Sequence, residues 1–157
     1  LRAYLRREFE TILFSGDLDK TTAAFILATT AAASGMDVSI FFTFWGLNIL
    51  KKSTATSPKN IMQKMLAFMT HKTPISRLNM LGMGPWMLKK LMKKSNMPSL
   101  EELMKLAKQL KVKYIACTTS CGVMGIAKEN LTEDVDEFAG ASTYLAQAKD
   151  AKVNLFI

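Results

Sequence analysis

The sequence predicts an α/β fold: an open, mostly parallel sheet with helices on both faces. Two observations carry that expectation. Short apolar runs rich in β-branched and aromatic residues alternate with longer segments of helical spacing, and the alternation recurs at both ends of the chain.

At the N-terminus, residues 1–10, LRAYLRREFE, have a charged helical pattern unlike the apolar run beyond them and read as a linker or N-terminal tail. The chain starts without a methionine, which fits a domain cut from a longer polypeptide and fits removal of the initiator equally. The α/β domain is expected over 11–157. Thr11–Phe14 forms a first apolar strand bounded by SGD, and residues 19–34 form an alanine-rich helix without a breaker, ending at Gly35. Asp37–Trp45 is β-branched and aromatic, stops at Gly46, and reads as a buried second strand. Near the other end, Ser99–Leu110 has a serine cap with Glu102 three residues on, and VKYIAC comes next as a strand. A last helix at Ala141–Ala148 precedes the closing strand VNLFI.

Between these halves, residues 51–98 read as a Met- and Lys-rich insertion, the least regular part of the chain. Met62, Met65, Met69, Met80, Met83, Met87, Met92 and Met97 lie there. Methionine suits surfaces that repack, so a mobile flap or subunit contact is expected, with plain core filling as the alternative. GMGPW has neither the Walker spacing nor the three-glycine dinucleotide spacing, so no nucleotide or other cofactor is expected.

Composition sets limits. A chain of 157 residues fits one domain, and 49% hydrophobic against 22% charged residues is an ordinary globular mix. Two cysteines suggest reduced thiols in a cytoplasmic protein. The uncharged windows at 21–36 and 38–50 are shorter than the roughly 18 residues of a spanning helix, so a membrane span is not expected. The net charge of +8 is concentrated: residues 51–113 hold fourteen basic and two acidic side chains. Such a patch suits nucleic acid, an anionic membrane surface or an acidic partner protein, and the plainer reading, which is favoured, is a solvated helix face; no aromatic residues alternate with the lysines as base stacking requires, so nucleic acid is not expected.

In an open α/β sheet, ligands sit outside the carboxyl ends of the strands. Three exits matter: FSGD, FWGL and ACTTSCG. If their strands are neighbours, Ser15, Gly16, Asp17, Trp45, Gly46 and Cys117 line one crevice, with Ser120 close enough to bond a sulfur. A cysteine at a strand end before a turn or helix meets backbone N–H groups that favour thiolate, and the alternative is a buried, inert thiol. Cys121 lies four residues later, in C-x₃-C rather than C-x₂-C spacing; a transient disulfide is one reading and independent thiols the other. Zinc wants four ligands, and beyond these thiols the one histidine, His71, sits in the irregular middle, so no metal is expected. His71 remains a potential base or donor if that segment folds over the crevice.

SGDLDKTTAAFILATTAAASGMDVSIFFTFWGLNILKK, LNMLGMGPWMLKKLMKK, SLEELMKLAKQLKVKYIACTTSCGVMGI and the terminal VNLFI together resemble the DsrE/DsrF-like superfamily in its DsrE2-type branch, whose members are often labelled peroxiredoxin family. The resemblance runs from about residue 11 to the end. It implies a flavodoxin-like sheet, a homo-oligomer, and a sulfur carrier or sulfurtransferase-like role in which Cys117 holds sulfane sulfur as a persulfide. It also implies rhodanese-like or small sulfur-carrier proteins as partners. Where the family pattern has methionine and aspartate, this chain has Cys121 and Gly122, so Cys121 is a candidate resolving thiol. No threonine and arginine framework surrounds a peroxidatic cysteine, and peroxidase activity is not expected. The competing readings are a non-catalytic assembly module and a thiol-disulfide redox protein using Cys117 and Cys121.

Overall fold

The computed structural model describes residues 8–52 and 83–157. Five strands form one sheet: β1 Glu8–Leu13, β2 Asp37–Phe42, β3 Lys113–Cys117, β4 Glu137–Ala139 and β5 Val153–Phe156. Their order is β4-β3-β2-β1-β5, and every pairing is parallel. The helices are α1 Leu18–Ala33, α2 Met83–Lys94, α3 Leu100–Gln109, α4 Thr118–Met124 and α5 Ala141–Ala148.

Chain direction decides which face each helix covers. The steps from β1 to β2 and from β2 to β3 move the same way across the sheet, so right-handed crossovers put α1 and α3 on one face, where they pack together. From β4 the chain must travel back to the far side of β1, which sends α5 to the opposite face. The core divides accordingly. Phe25, Phe42 and Tyr114 meet at centroid distances of 5.3–6.3 Å on the α1/α3 face. A smaller cluster of Phe41, Ile115, Cys117, Ala139, Tyr144 and Ala148 lies under α5.

Local chemistry explains the elements. Threonines in buried helix would leave hydroxyls stranded, but Thr21, Thr22, Thr29 and Thr30 of α1 each donate to the carbonyl four residues back, at 2.6–2.7 Å. α3 opens on a capping box: the Ser99 Oγ accepts from the Glu102 N–H at 3.3 Å, and Glu102 Oε2 accepts from the Ser99 N–H at 2.7 Å.

The observed elements differ from the sequence expectation in four places. β1 begins at Glu8, three residues before Thr11, because Phe9 packs into the core and Glu8–Leu13 pair in register with Asp37–Phe42. β2 stops at Phe42, and FWGLNIL forms a 3-10 turn. The short β4 is an addition. α2 is regular helix inside the segment expected to be irregular. The flap and His71 readings fall largely on 53–82, outside the described residues.

The α5 face carries one strained electrostatic feature. Glu10, in the middle of β1, is 3% exposed; its Oε2 has no hydrogen-bond partner among the described residues. Burial drives its carboxyl up to about 7, with the neighbouring Glu8 adding to the rise and the Ser39 hydroxyl and Lys113 opposing it. A folded-state value above the unfolded 4.5 means that stability is complete below about pH 4.5. It is then lost progressively, and the full loss is in place above about 7. Glu10→Gln keeps the shape without the charge. Thermal unfolding of this variant should be flat across that window and exceed wild type at pH 8 by ~1–3 kcal/mol; parallel pH profiles for the two proteins would rule out Glu10 as the source.

Candidate functional site

β1, β2 and β3 are adjacent in the sheet, so their carboxyl ends open side by side as the sequence suggested. Cys117 ends β3 and is also the N-cap of α4, where the chain turns from strand to helix at φ −69°, ψ 114°. The register pairs Phe42 with Ala116, which puts Thr43, the first residue beyond β2, level with Cys117. Thr43 Oγ1 and Ser120 Oγ lie 2.7 Å apart, and both hydroxyls reach the Cys117 sulfur.

The sulfur is buried, at 5% exposure. Burial is the largest single influence and pushes the thiol up. Hydrogen bonds from the Ser120 hydroxyl and N–H, the Thr43 hydroxyl and the Thr119 N–H together outweigh it, and Cys117 titrates below an ordinary thiol. Thr43 and Ser120 share one hydroxyl–hydroxyl bond, so one of the two keeps its proton for the sulfur; that hydroxyl and the N–H groups of Thr119 and Ser120 favour the thiolate, and they would equally favour any anionic sulfur bonded there.

Cys121 has the opposite fate. It is 7% exposed and packs in the larger core on the α1/α3 side, whereas Cys117 belongs to the cluster under α5. Burial pushes its thiol up, the neighbouring Cys117 adds to this, and Lys128 and Lys51 only partly offset it. Both thiols are free. No group of three or more metal-ligating side chains occurs among the described residues.

The loop residues named from sequence divide into two groups. Ser120 is fully in place, 1% exposed against Cys117 and Thr43. Ser15, Gly16 and Asp17 build the β1 exit, and Gly46 ties the β2 exit to it. The Ser15 Oγ accepts from the Asp17 N–H at 3.1 Å, and Asp17 pairs with Lys20 at 3.0 Å. The Gly46 N–H donates to the carbonyls of Phe14 and Thr43, at 2.9 and 3.0 Å. The N–H groups of Asp17 and Gly46 are thus engaged within and between the two exits. Trp45, whose carbonyl lies against Gly16, is 36% exposed. Sequence reasoning missed Thr43 and Thr119. Thr43 is one residue past a strand and lies next to Cys117 only because β2 and β3 pair in this register. Thr119 contributes a backbone N–H, which no side-chain pattern reveals.

Residues 6–156 match the model of the DsrE/DsrF/DrsH-like family. The chain belongs to this family. It is 35% identical to the sulfur carrier protein DsrE2 of Allochromatium vinosum, over 97% of this chain and 99% of that protein. It is 42% identical to the uncharacterized protein YrkE of Bacillus subtilis, over 93% and 94% of the two chains. The fold is similar to that in the crystal structure of the ychN protein from E. coli, with a TM-score of 0.53 at 12% identity, covering 96% of this chain and 99% of that one. The α/β sheet that the resemblance implied is thus a DsrE-like fold, and Cys117 is placed in a family that includes a sulfur carrier.

Removing one hydroxyl donor tests the electrostatics directly. Thr43→Val and Ser120→Ala should each move the pH midpoint of iodoacetamide alkylation at Cys117 upward and slow the reaction at pH 7 about tenfold, the worth of one hydrogen bond to a charged group. An unchanged midpoint in both variants would mean that these hydroxyls do not hold the thiolate.

Proposed function

We propose that this protein is a cytoplasmic sulfur carrier of the DsrE-like family that holds sulfane sulfur as a persulfide on Cys117 and passes it to an acceptor thiol. The observation that supports this reading is the depressed Cys117 thiol, surrounded by donors from Thr43, Thr119 and Ser120. The relationship to a sulfur carrier protein points the same way.

Each step balances without an external oxidant. The Cys117 thiolate attacks the outer sulfur of a donor persulfide; the donor's S–S bond breaks and the donor leaves as thiolate, while Cys117 carries the new S–S bond. An acceptor thiolate then attacks the outer sulfur and the Cys117 thiolate departs. The donors that stabilise the Cys117 thiolate lower the barrier to its release, because a thiolate of lower basicity is the better leaving group. Loading places the terminal sulfur one bond beyond Sγ.

Cys121 is the less suitable resolving thiol, since its burial favours the protonated form and its sulfur packs on the other side of the sheet from Cys117. The lysines and arginine of residues 51–113 outnumber the acidic side chains there by fourteen to two. They suit docking of an acidic carrier or rhodanese-like partner, an attraction that weakens with salt. A homo-oligomer is part of the same reading.

Intact mass after incubation of the reduced protein with polysulfide separates the possibilities. Wild type and Cys121→Ser should gain whole sulfur atoms that dithiothreitol removes, and Cys117→Ser should gain none. Equal gain in all three proteins, or none in any, would discard the carrier reading. A loaded mass that gives way to a 117–121 disulfide with release of sulfide would favour the redox alternative.

A further inference from the structure

α2 is the described surface that the sulfur chemistry leaves unused. Only Gly84 and Met92 of its twelve residues are buried. Met83, Trp86, Met87, Lys90, Leu91 and Lys94 follow i, i+3, i+4, i+7, i+8 and i+11, so they form a single helical face. That face points outward: Met83, Trp86, Met87 and Leu91 are 57, 61, 52 and 53% exposed. Lys89 and Lys93 flank it, and no acidic residue occurs between 83 and 98. Among the described residues, none of these four lysines forms an ion pair. Lys90 instead lies over the Trp86 ring, 5.1 Å from its centroid.

We propose that the outward face of α2 is a docking surface for an anionic lipid bilayer, which the protein binds peripherally through Trp86, Met83, Met87, Leu91 and the lysines of the same helix. The positive charge without any acidic counterpart selects a negative partner. The arrangement within the face selects a bilayer over an acidic protein. Lys90 and Lys94 sit among the apolar side chains rather than beside them, and a dry protein groove that took up the face would have to desolvate both ammonium groups. At a bilayer interface the lysine stems lie along the apolar boundary while their heads reach the phosphates, and tryptophan favours the same depth. The face is also convex, which a flat interface accepts without a complementary groove. Such binding needs no spanning segment, and no helix among the described residues is long and apolar enough to cross a membrane. It is independent of the persulfide reading.

Co-sedimentation with vesicles of phosphatidylcholine alone, and of equal parts phosphatidylcholine and phosphatidylglycerol, tests the proposal on the full chain. Wild type should bind only the anionic vesicles and detach at high salt. A Lys90→Gln/Lys94→Gln variant should partition about 30-fold less, a loss of about fivefold for each lysine brought near the surface. Brominated lipid should quench tryptophan emission in wild type, and much less in Trp86→Phe, with Cys117 loading by polysulfide unchanged in both variants. No binding to the anionic vesicles, equal binding to both kinds, or binding that the lysine variant retains would each overturn the proposal. Binding to polyglutamate with no binding to vesicles would overturn it in favour of an acidic protein partner.

Discussion

The candidate site depends on how closely the β1 exit and the β2 exit are pressed together. A Cβ at Gly46 would lie 2.1 Å from the Leu13 carbonyl oxygen, and one at Gly16 would lie 2.7 Å from the carbonyl oxygen of Trp45. No other residue type fits there without moving backbone. The approach is then fixed by hydrogen bonds, from the Thr43 N–H to the Leu13 carbonyl at 3.1 Å and from the Gly46 N–H to the Phe14 carbonyl at 2.9 Å. One consequence is strain: Phe44, between these anchors, is held at φ 45°, a left-handed conformation that costs a bulky residue ~1–3 kcal/mol. The other consequence is that Thr43 cannot drift, and its hydroxyl reaches across to Ser120 and Cys117. Two glycines that touch no sulfur thus set the position of the group that does.

The two cysteines show how little sequence distance has to do with reactivity. They are four residues apart in one strand-to-helix turn, and both are nearly inaccessible. Their values diverge because burial acts on both, while only Cys117 has donors to answer it. At the start of α4 the N–H groups of Thr119 and Ser120 have no carbonyl one turn back within the helix, so they are free to point at the sulfur. One turn on, Cys121 sits where the helix satisfies its own backbone, and its neighbours are apolar. The lysines that approach it stop short of compensating, and one of them, Lys51, is itself held below its ordinary value by burial.

Much of the fold was legible because local signals agreed with tertiary need. The serine cap at Ser99, the glycine after α1 and the β-branched strands all mark elements at or near where they form. Cys117 and Ser120 were legible for the same reason, since both belong to one contiguous turn. The rest was not written locally. Thr43 joins the site through sheet register, a relation between residues 74 positions apart in the chain. β4 is three residues long, too short for any alternation to stand out. Gly16 and Gly46 were visible as glycines at strand exits, but a glycine that leaves room for a ligand and a glycine that leaves room for another backbone look the same in sequence.

The two faces of the sheet are covered unequally, and the two thiols fall on different sides of that division. The α1/α3 face carries the larger core, with Phe25, Phe42 and Tyr114 interlocked. The opposite face is covered by α5, eight residues long, over a cluster of six buried side chains that includes Cys117. Local opening free energy follows the apolar contacts that must be broken. The cluster that holds Cys117 is the smaller of the two, so opening it breaks fewer such contacts than opening the core that holds Cys121. The same topology that forces α5 onto the far face, by sending the chain back across the sheet to β5, puts Cys117 in the smaller of the two clusters and leaves Cys121 in the larger.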